Sequence, residues 1–598
     1  MRIYRLALIM IFMTISVVAE ELRFDAFGVN VVIRSEEKGG KCALKIAVTP
    51  SPANSVSLLV THAETGREQA FRKYITAGKY PEVIMTFPLQ MPNGFNERNI
   101  YRFPVSLSTS DGRTHTEVFV WKGAKADPAR LGMVIPDARD ISESPFGVCT
   151  HFGHKWKEVD LLLDMIARLG IKTIRDDVYT EKQKDGSYKV RASDLEWIRK
   201  AHERGLRIIP IIAMKAADSQ EEFLKQVEAY VRDTEGLVDV FELGNEPGNF
   251  GGWRKVYPNG TWNAKERDNS TSRWALEHLK YTNAGAEYIR KLRPDAVILG
   301  GGHSSAVNFR ILEAGVSPAV DGIVSHFYTY SLPPEKMPWG LKLETRDGIA
   351  VGDENNTFRG LVLSYEKKFA STGKMRGLYV TEFGFPAHYF NGKNEKNLYA
   401  GFTEEAQAVY TVRRMLESLT LPVIKLSCVY DFMNDGMAED NPEFNFGMIR
   451  KDYSPKPLYQ AMGLLTSLFT GMRHDLSVNV EILSQPLHRN AVRTELVKNW
   501  DGNSIMAANE VKAYLFADPE RPDEKTLAVW SAQPLPGDFN NRSVSIALAN
   551  MPGFKEQPVG IDLVTGETFD ISMKVEEERI LLENLSLKRH PIAIRFFR

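Results

Sequence analysis

Cysteine is scarce in this chain, with three residues in 598: Cys42, Cys149 and Cys428, far apart and outside any Cys-x-x-Cys or Cys/His spacing. Such a pattern excludes a disulfide framework or a structural zinc site as the source of stability and leaves core packing to supply it, although one disulfide stays open. A surplus of one charge is also missing. Lys and Arg total 75 against 76 Asp and Glu, a formal net charge of −1, which gives no basic field for nucleic acid and no acidic tail. Long apolar runs are absent beyond the first 19 residues, so no membrane span is expected in the body of the chain.

The N-terminus reads Met1-Arg2-Ile3-Tyr4-Arg5, followed by an apolar run from Leu6 to Ala19 with Thr14 and Ser16 as mild interruptions. Two cations, a short apolar stretch and small residues at Val17 and Ala19 have the form of a signal peptide over residues 1–19, with Glu20 opening the mature chain. A secreted, periplasmic or cell-surface protein is expected.

Residues 20–125 show short alternating runs such as Ala43-Leu44-Lys45-Ile46-Ala47-Val48 between Pro, Gly and Asn clusters, the pattern of a β-sandwich. Residues 126–145, with Pro128, Pro136 and Pro145, read as a linker. From 146 to 470 short apolar runs alternate with amphipathic helical segments in eight units. Alternation of this kind builds a parallel sheet, and eight regular units fit an α/β (β/α)8 TIM barrel better than a doubly wound sheet. Residues 471–598 return to β patterning, and a C-terminal β-sandwich is expected there, with Gly566 placed as hairpin punctuation.

In such a barrel the active site is built from residues at the C-terminal ends of the strands. Those ends carry His151; Arg175, Asp176 and Asp177; Asn245 and Glu246; His303; His326 and Tyr328; Glu382; and Tyr430 and Asp431. Glu246 and Glu382 each close an apolar run, and Pro247 forces the chain to turn directly after the first. Two carboxylates facing one pocket suit hydrolysis of a glycosidic bond, in which one protonates the leaving oxygen and the other attacks or stabilises the anomeric carbon.

Gly244-Asn245-Glu246-Pro247 on the fourth unit and Thr381-Glu382-Phe383-Gly384 on the seventh resemble the paired signatures of clan A glycoside hydrolases. The resemblance implies that Glu246 is the acid/base, Glu382 the nucleophile and Asn245 a ligand of the sugar 2-hydroxyl. It also makes Thr173-Ile174-Arg175 similar to the arginine that orients the nucleophile, and His326-Phe327-Tyr328 similar to the cluster beside it. Where that clan often has a Trp platform on the eighth strand, this chain has Tyr430-Asp431-Phe432. The three-domain order is similar to that of the xylosidase and iduronidase branch.

The implied reaction needs no cofactor and no metal, and a carbohydrate is the expected partner. For retention of configuration the two carboxyls should stand roughly 5 Å apart. Glu246 is expected to have a raised pKa from partial burial and the nearby Glu382, while Arg175 and Tyr328 favour ionised Glu382. Several alternatives stay open. Arg175 could pair with Asp176 or Asp177 at the rim. His151 and His154 could suggest a metal, but no third ligand is apparent. Trp253, Trp262, Trp339 and Phe385, read as loop aromatics above the barrel, could stack on sugar faces or simply pack. The Gly300-Gly301-Gly302-His303 run reads as a tight turn. A non-hydrolytic carbohydrate-binding barrel and a transglycosylase are the competing functions.

Overall fold

The computed structural model describes residues 21–38, 41–60, 71–76, 83–89, 100–122, 144–154, 156, 158–338, 348–388, 399, 401–484, 496–498, 504–506, 510–535 and 541–598. The proposed signal peptide, most of the linker and Trp339 lie outside them. The chain divides into two compact units, the first ending at Leu131 apart from a three-residue segment, Asp452–Ser454.

In the first unit, alternation produces two antiparallel sheets of four strands. One runs in the order Glu21–Ala26, Val29–Lys38, Lys41–Thr49, Val83–Leu89, and the other Phe71–Ile75, Val56–Val60, Ile100–Thr109, Thr114–Lys122. Val56, Leu58 and Val60 are buried while Ser57 and Leu59 between them are not, the two-residue period of a strand with one face in a core. Val31, Ile33, Leu44, Ile46, Phe103 and Val105 fill the sandwich.

The second unit contains a closed barrel of eight parallel strands. In chain order these are Phe146–Cys149, Thr173–Val178, Arg207–Ile212, Val240–Leu243, Val297–His303, Gly322–His326, Gly377–Phe383 and Ile424–Val429. The first, fourth and sixth are buried at every position, as expected where side chains fill the barrel on one face and helices cover the other. The covering helices start where the sequence supplies a cap: Ser219, Thr357 and Thr403 each accept a backbone N–H three residues on, from Glu222, Gly360 and Ala406.

The glycine run departs from its expectation. Gly300 to His303 continue the fifth strand, and a helix, Ser305–Ala314, follows at once under a Ser304 cap. A Cβ on Gly302 would stand 2.1 Å from Val307 Cγ1 and one on Gly300 2.7 Å from Thr282 Cγ2, so these glycines permit strand and helix to approach rather than make a turn. The helix has little amphipathic signature to read because every residue from Ser305 to Leu312 is buried.

Beyond the barrel, a six-stranded and a four-stranded antiparallel sheet enclose an apolar core that includes Leu515, Leu527, Val529, Ile546, Leu548 and Ile594. Gly566, at φ 75°, turns the chain between Val559–Asp562 and Thr568–Asp570. A buried network fastens this domain to the barrel: Arg413 grips both Glu335 oxygens at 2.8 and 2.5 Å and donates to Gln533 O, and Trp530 Nε1 donates to Glu335. Among the described residues no helix is long and apolar enough to cross a membrane.

Candidate active site

A cavity of about 1240 Å³ opens over the C-terminal ends of the barrel strands. Arg175 stands at its floor, 2 % exposed and pointing inward from the second strand. Its Nη1 donates to Glu382 Oε1 at 2.7 Å, its Nε and Nη2 hold both oxygens of Glu242 at 2.6 and 2.8 Å, and Nη2 also donates to Asn245 Oδ1 at 3.0 Å. Arg175 therefore joins strands two, four and seven and does not pair with Asp176 or Asp177 at the rim. Asp176 turns away, accepting from Thr150 Oγ1 and Phe152 N, and burial pushes its carboxyl well above the usual range.

Glu382 accepts a second bond on its other oxygen, from the Tyr328 hydroxyl at 2.7 Å. Glu246 sits three residues past the end of strand four with φ 39°, where the chain folds back at once through Asn249 N and Phe250 N to Glu246 O. His326 Nδ1 lies 2.8 Å from Glu246 Oε1 and 3.4 Å from Glu382 Oε2, and oxygens of the two glutamates come within 4.8 Å of each other. That closest approach is of the order of the roughly 5–5.5 Å carboxyl separation of a double-displacement pair.

The expected pKa of Glu246 is corrected by its surroundings. Burial does push it up, but the His326 hydrogen bond and charge, with Asn249 adding a second bond, outweigh burial and hold it at about 2. Glu246 is thus held toward its ionised form, opposite to the expected direction.

Of two further residues essential to this arrangement, His303 was already marked as a polar residue at a strand end, whereas Glu242 was not singled out by its position in the sequence. Glu242, fully buried, anchors Arg175; burial opposes its charge, but Arg175 and His303 prevail and keep its carboxyl at about 2. His303 reaches Glu242 Oε1 with Nε2 at 3.1 Å and packs edge-on to His326, ring centres 4.6 Å apart. Strand parity was the available signal: Glu242 shares a face with Val240, which points into the barrel.

His151, Asp177, Tyr328 and Tyr430 all line the cavity. His151 bonds Asp435 Oδ1 at 2.8 Å and lies 3.7 Å from Asp431, so carboxylates join His154, whose ring centre is 5.1 Å away, among its neighbours. His151, Asp431 and Asp435 bring one imidazole and two carboxylates within 4.8 Å, a donor set that was not apparent from the His151/His154 spacing. Asp177 stands 3.8 Å from His154 Nδ1. Tyr430 meets Tyr328 and Phe446 edge-on and supplies an aromatic wall at the eighth strand.

Trp253 is not a sugar platform. It is 1 % exposed, packed edge-on against His278 and Tyr281 with its Nε1 donating to Met214 O, because the loop folds the indole under itself. Phe385 is likewise buried, among Phe383, Phe402 and Tyr410. Trp262 does line the cavity, together with the exposed Phe250. Cys149 and Cys428 are free, buried thiols.

The same architecture is found in a solved family 39 glycoside hydrolase from the gut symbiont Bacteroides cellulosilyticus WH2, with a TM-score of 0.56 and 18% identity over 94% of this chain and 96% of that one. The likeness establishes the fold: a (β/α)8 barrel with flanking β-domains, shared with that glycoside hydrolase. A Bacteroides uniformis beta-glucuronidase (TM-score 0.35, 12% identity, 92% of this chain and 60% of that one) and a putative beta-galactosidase from Bacteroides fragilis (0.35, 13%, 95% and 69%) superpose too loosely to carry an argument. A scan against protein-family models and a search of curated proteins gave no match.

Proposed function

We propose that this protein is a retaining glycoside hydrolase acting on an oligo- or polysaccharide. The observation that carries this reading is the meeting of Glu246 and Glu382, from strands four and seven, within 4.8 Å at the floor of one open cavity. Glu382, held in place by the Arg175 and Tyr328 donors, attacks the anomeric carbon while the leaving oxygen takes a proton from Glu246. Glu246, now a base, then draws a proton from water, which attacks the same carbon and releases Glu382. Asn245, its amide oxygen bound by Arg175, turns its NH2 toward the position of a sugar hydroxyl. The cavity exceeds the roughly 300–1,000 Å³ of small-molecule sites, which suits a substrate of more than one ring.

Incubation with 2-fluoro aryl glycosides tests the mechanism: a covalent adduct on the peptide containing Glu382 is expected. Measurable sugar binding without any adduct would overturn it in favour of a carbohydrate receptor. The apolar Leu6–Ala19 run supports export of the enzyme to meet its glycan, which fractionation of the producing cells checks.

A further inference from the structure

Both oxygens of Glu246 are engaged before any substrate arrives. Oε1 lies against His326 Nδ1, and Oε2 accepts from Asn249 Nδ2 at 2.8 Å. Asn249 is itself aimed: Trp262 Nε1 donates to its Oδ1 at 2.8 Å. An indole N–H can only donate, so the amide must turn its oxygen to Trp262 and its NH2 to Glu246. A carboxyl O–H at Oε2 would then face another donor, and the arrangement selects the ionised form.

The imidazole side acts in the same sense. His326 Nε2 is buried with no hydrogen-bond partner among the described residues. A proton there would leave an orphan N–H, so the favoured tautomer carries its proton on Nδ1 and donates to Glu246. A general acid, however, must present a protonated oxygen to the leaving group. The two oxygens are unequal in this respect. Oε1 faces a histidine side chain 3 % exposed on strand six, whereas Oε2 faces the exposed loop residue Asn249 beside Phe250 at the cavity wall.

We propose, resting on the reading of Glu246 as acid/base, that Asn249 is a positioning residue that holds Glu246 ionised in the free enzyme and is displaced from Oε2 by the leaving-group oxygen. Displacement removes one donor from the carboxylate and so eases its uptake of a proton from solvent. That proton passes to the leaving oxygen as its bond to the anomeric carbon breaks and the bond to Glu382 forms. The other groups facing Glu246 are His326, His303, Glu382, Tyr330 and Tyr399. The His326 N–H donor favours the ionised form and the Glu382 carboxylate opposes it, and the substitutions at Asn249 and Trp262 leave all five side chains in place.

The test is a pH titration of the Glu246 carboxyl by infrared difference spectroscopy, its protonated C=O band assigned by loss in Glu246→Gln. In Asn249→Ala the midpoint should rise by about one pH unit, the scale of one hydrogen bond to a charged group. In Trp262→Phe, which frees the amide without deleting it, it should rise by less. In Glu382→Gln, saturation with the p-nitrophenyl glycoside that the wild type turns over fastest should raise it again. An unmoved or lowered midpoint in both loop variants overturns the clamp, and an unmoved midpoint on saturation overturns the displacement. If the wild type gives no 2-fluoro adduct at Glu382, the glycosidase reading falls while the clamp stands. If the adduct forms and the midpoint stays, only this inference falls.

Discussion

Glu246 and Glu382 are the same side chain at the ends of two strands of one barrel, yet they are held by different kinds of structure. Glu382, 10 % exposed, takes its bonds from Arg175 on a strand and from Tyr328 two residues past one, and Arg175 is itself locked by buried Glu242. Glu246, 21 % exposed, rests on His326 from a strand but on Asn249 from a loop. A nucleophile must stay ionised and fixed through the cycle, so rigid donors suit it. An acid/base must change protonation twice, so one of its partners has to let go. Under the proposed double displacement, the barrel assigns two roles to one residue type by what each carboxylate is bound to.

The largest effect should come from the rigid side. Glu382→Ala is expected to lower kcat by about 10⁴-fold or more on every substrate, measured with activated aryl and natural glycosides alike. Equal small losses on both would dissolve the distinction between the two glutamates. Glu246→Ala should cost about 10²–10⁴-fold on glycosides with poor leaving groups and much less on activated aryl glycosides, with azide restoring turnover; uniform loss without rescue would count against it. Away from the pair, Trp253→Ala should destabilise the fold by about 3–5 kcal/mol in denaturant titration, as deletion of a buried aromatic does. A rise in KM with unchanged stability would return Trp253 to the sugar site. Tyr328→Phe, which removes one bond to charged Glu382, should lower kcat roughly tenfold or more.

The smallest effect concerns pH. The folded pKa of Glu246 is depressed from 4.5 to about 2, so its contribution to stability is complete above the unfolded value and is lost as pH falls from about 4.5 towards 2. Thermal melts of wild type and Glu246→Gln should therefore differ at pH 7 and converge over that window. A gap independent of pH would mean that Glu246 is not held as an anion.

Much of this was legible in the chain. Pro247 stops a strand wherever it lies, so an apolar run ending in Glu246-Pro247 marks a strand end without knowledge of its neighbours, and the eight alternations around it specify the barrel. Asn245, Arg175, His326 and Tyr328 were legible for the same reason, as polar residues at the ends of apolar runs. For Trp253 the choice between stacking on a sugar and packing could not be made locally, because burial of an aromatic between strands depends on how the chain returns on itself, which local pattern does not record. The helix after the fifth strand escaped because a segment buried all round has no polar face to set its period.

By itself the sequence determined the strand ends and the pair of glutamates placed there, since periodicity and proline geometry are local properties. Only the tertiary structure decided what each glutamate is. Glu242, Arg175 and Glu382 come from strands far apart in the chain, and Asn249 meets Glu246 only through a turn aimed by Trp262. Charge state follows from burial and from donors within about 3 Å, and those distances exist only once the barrel has closed.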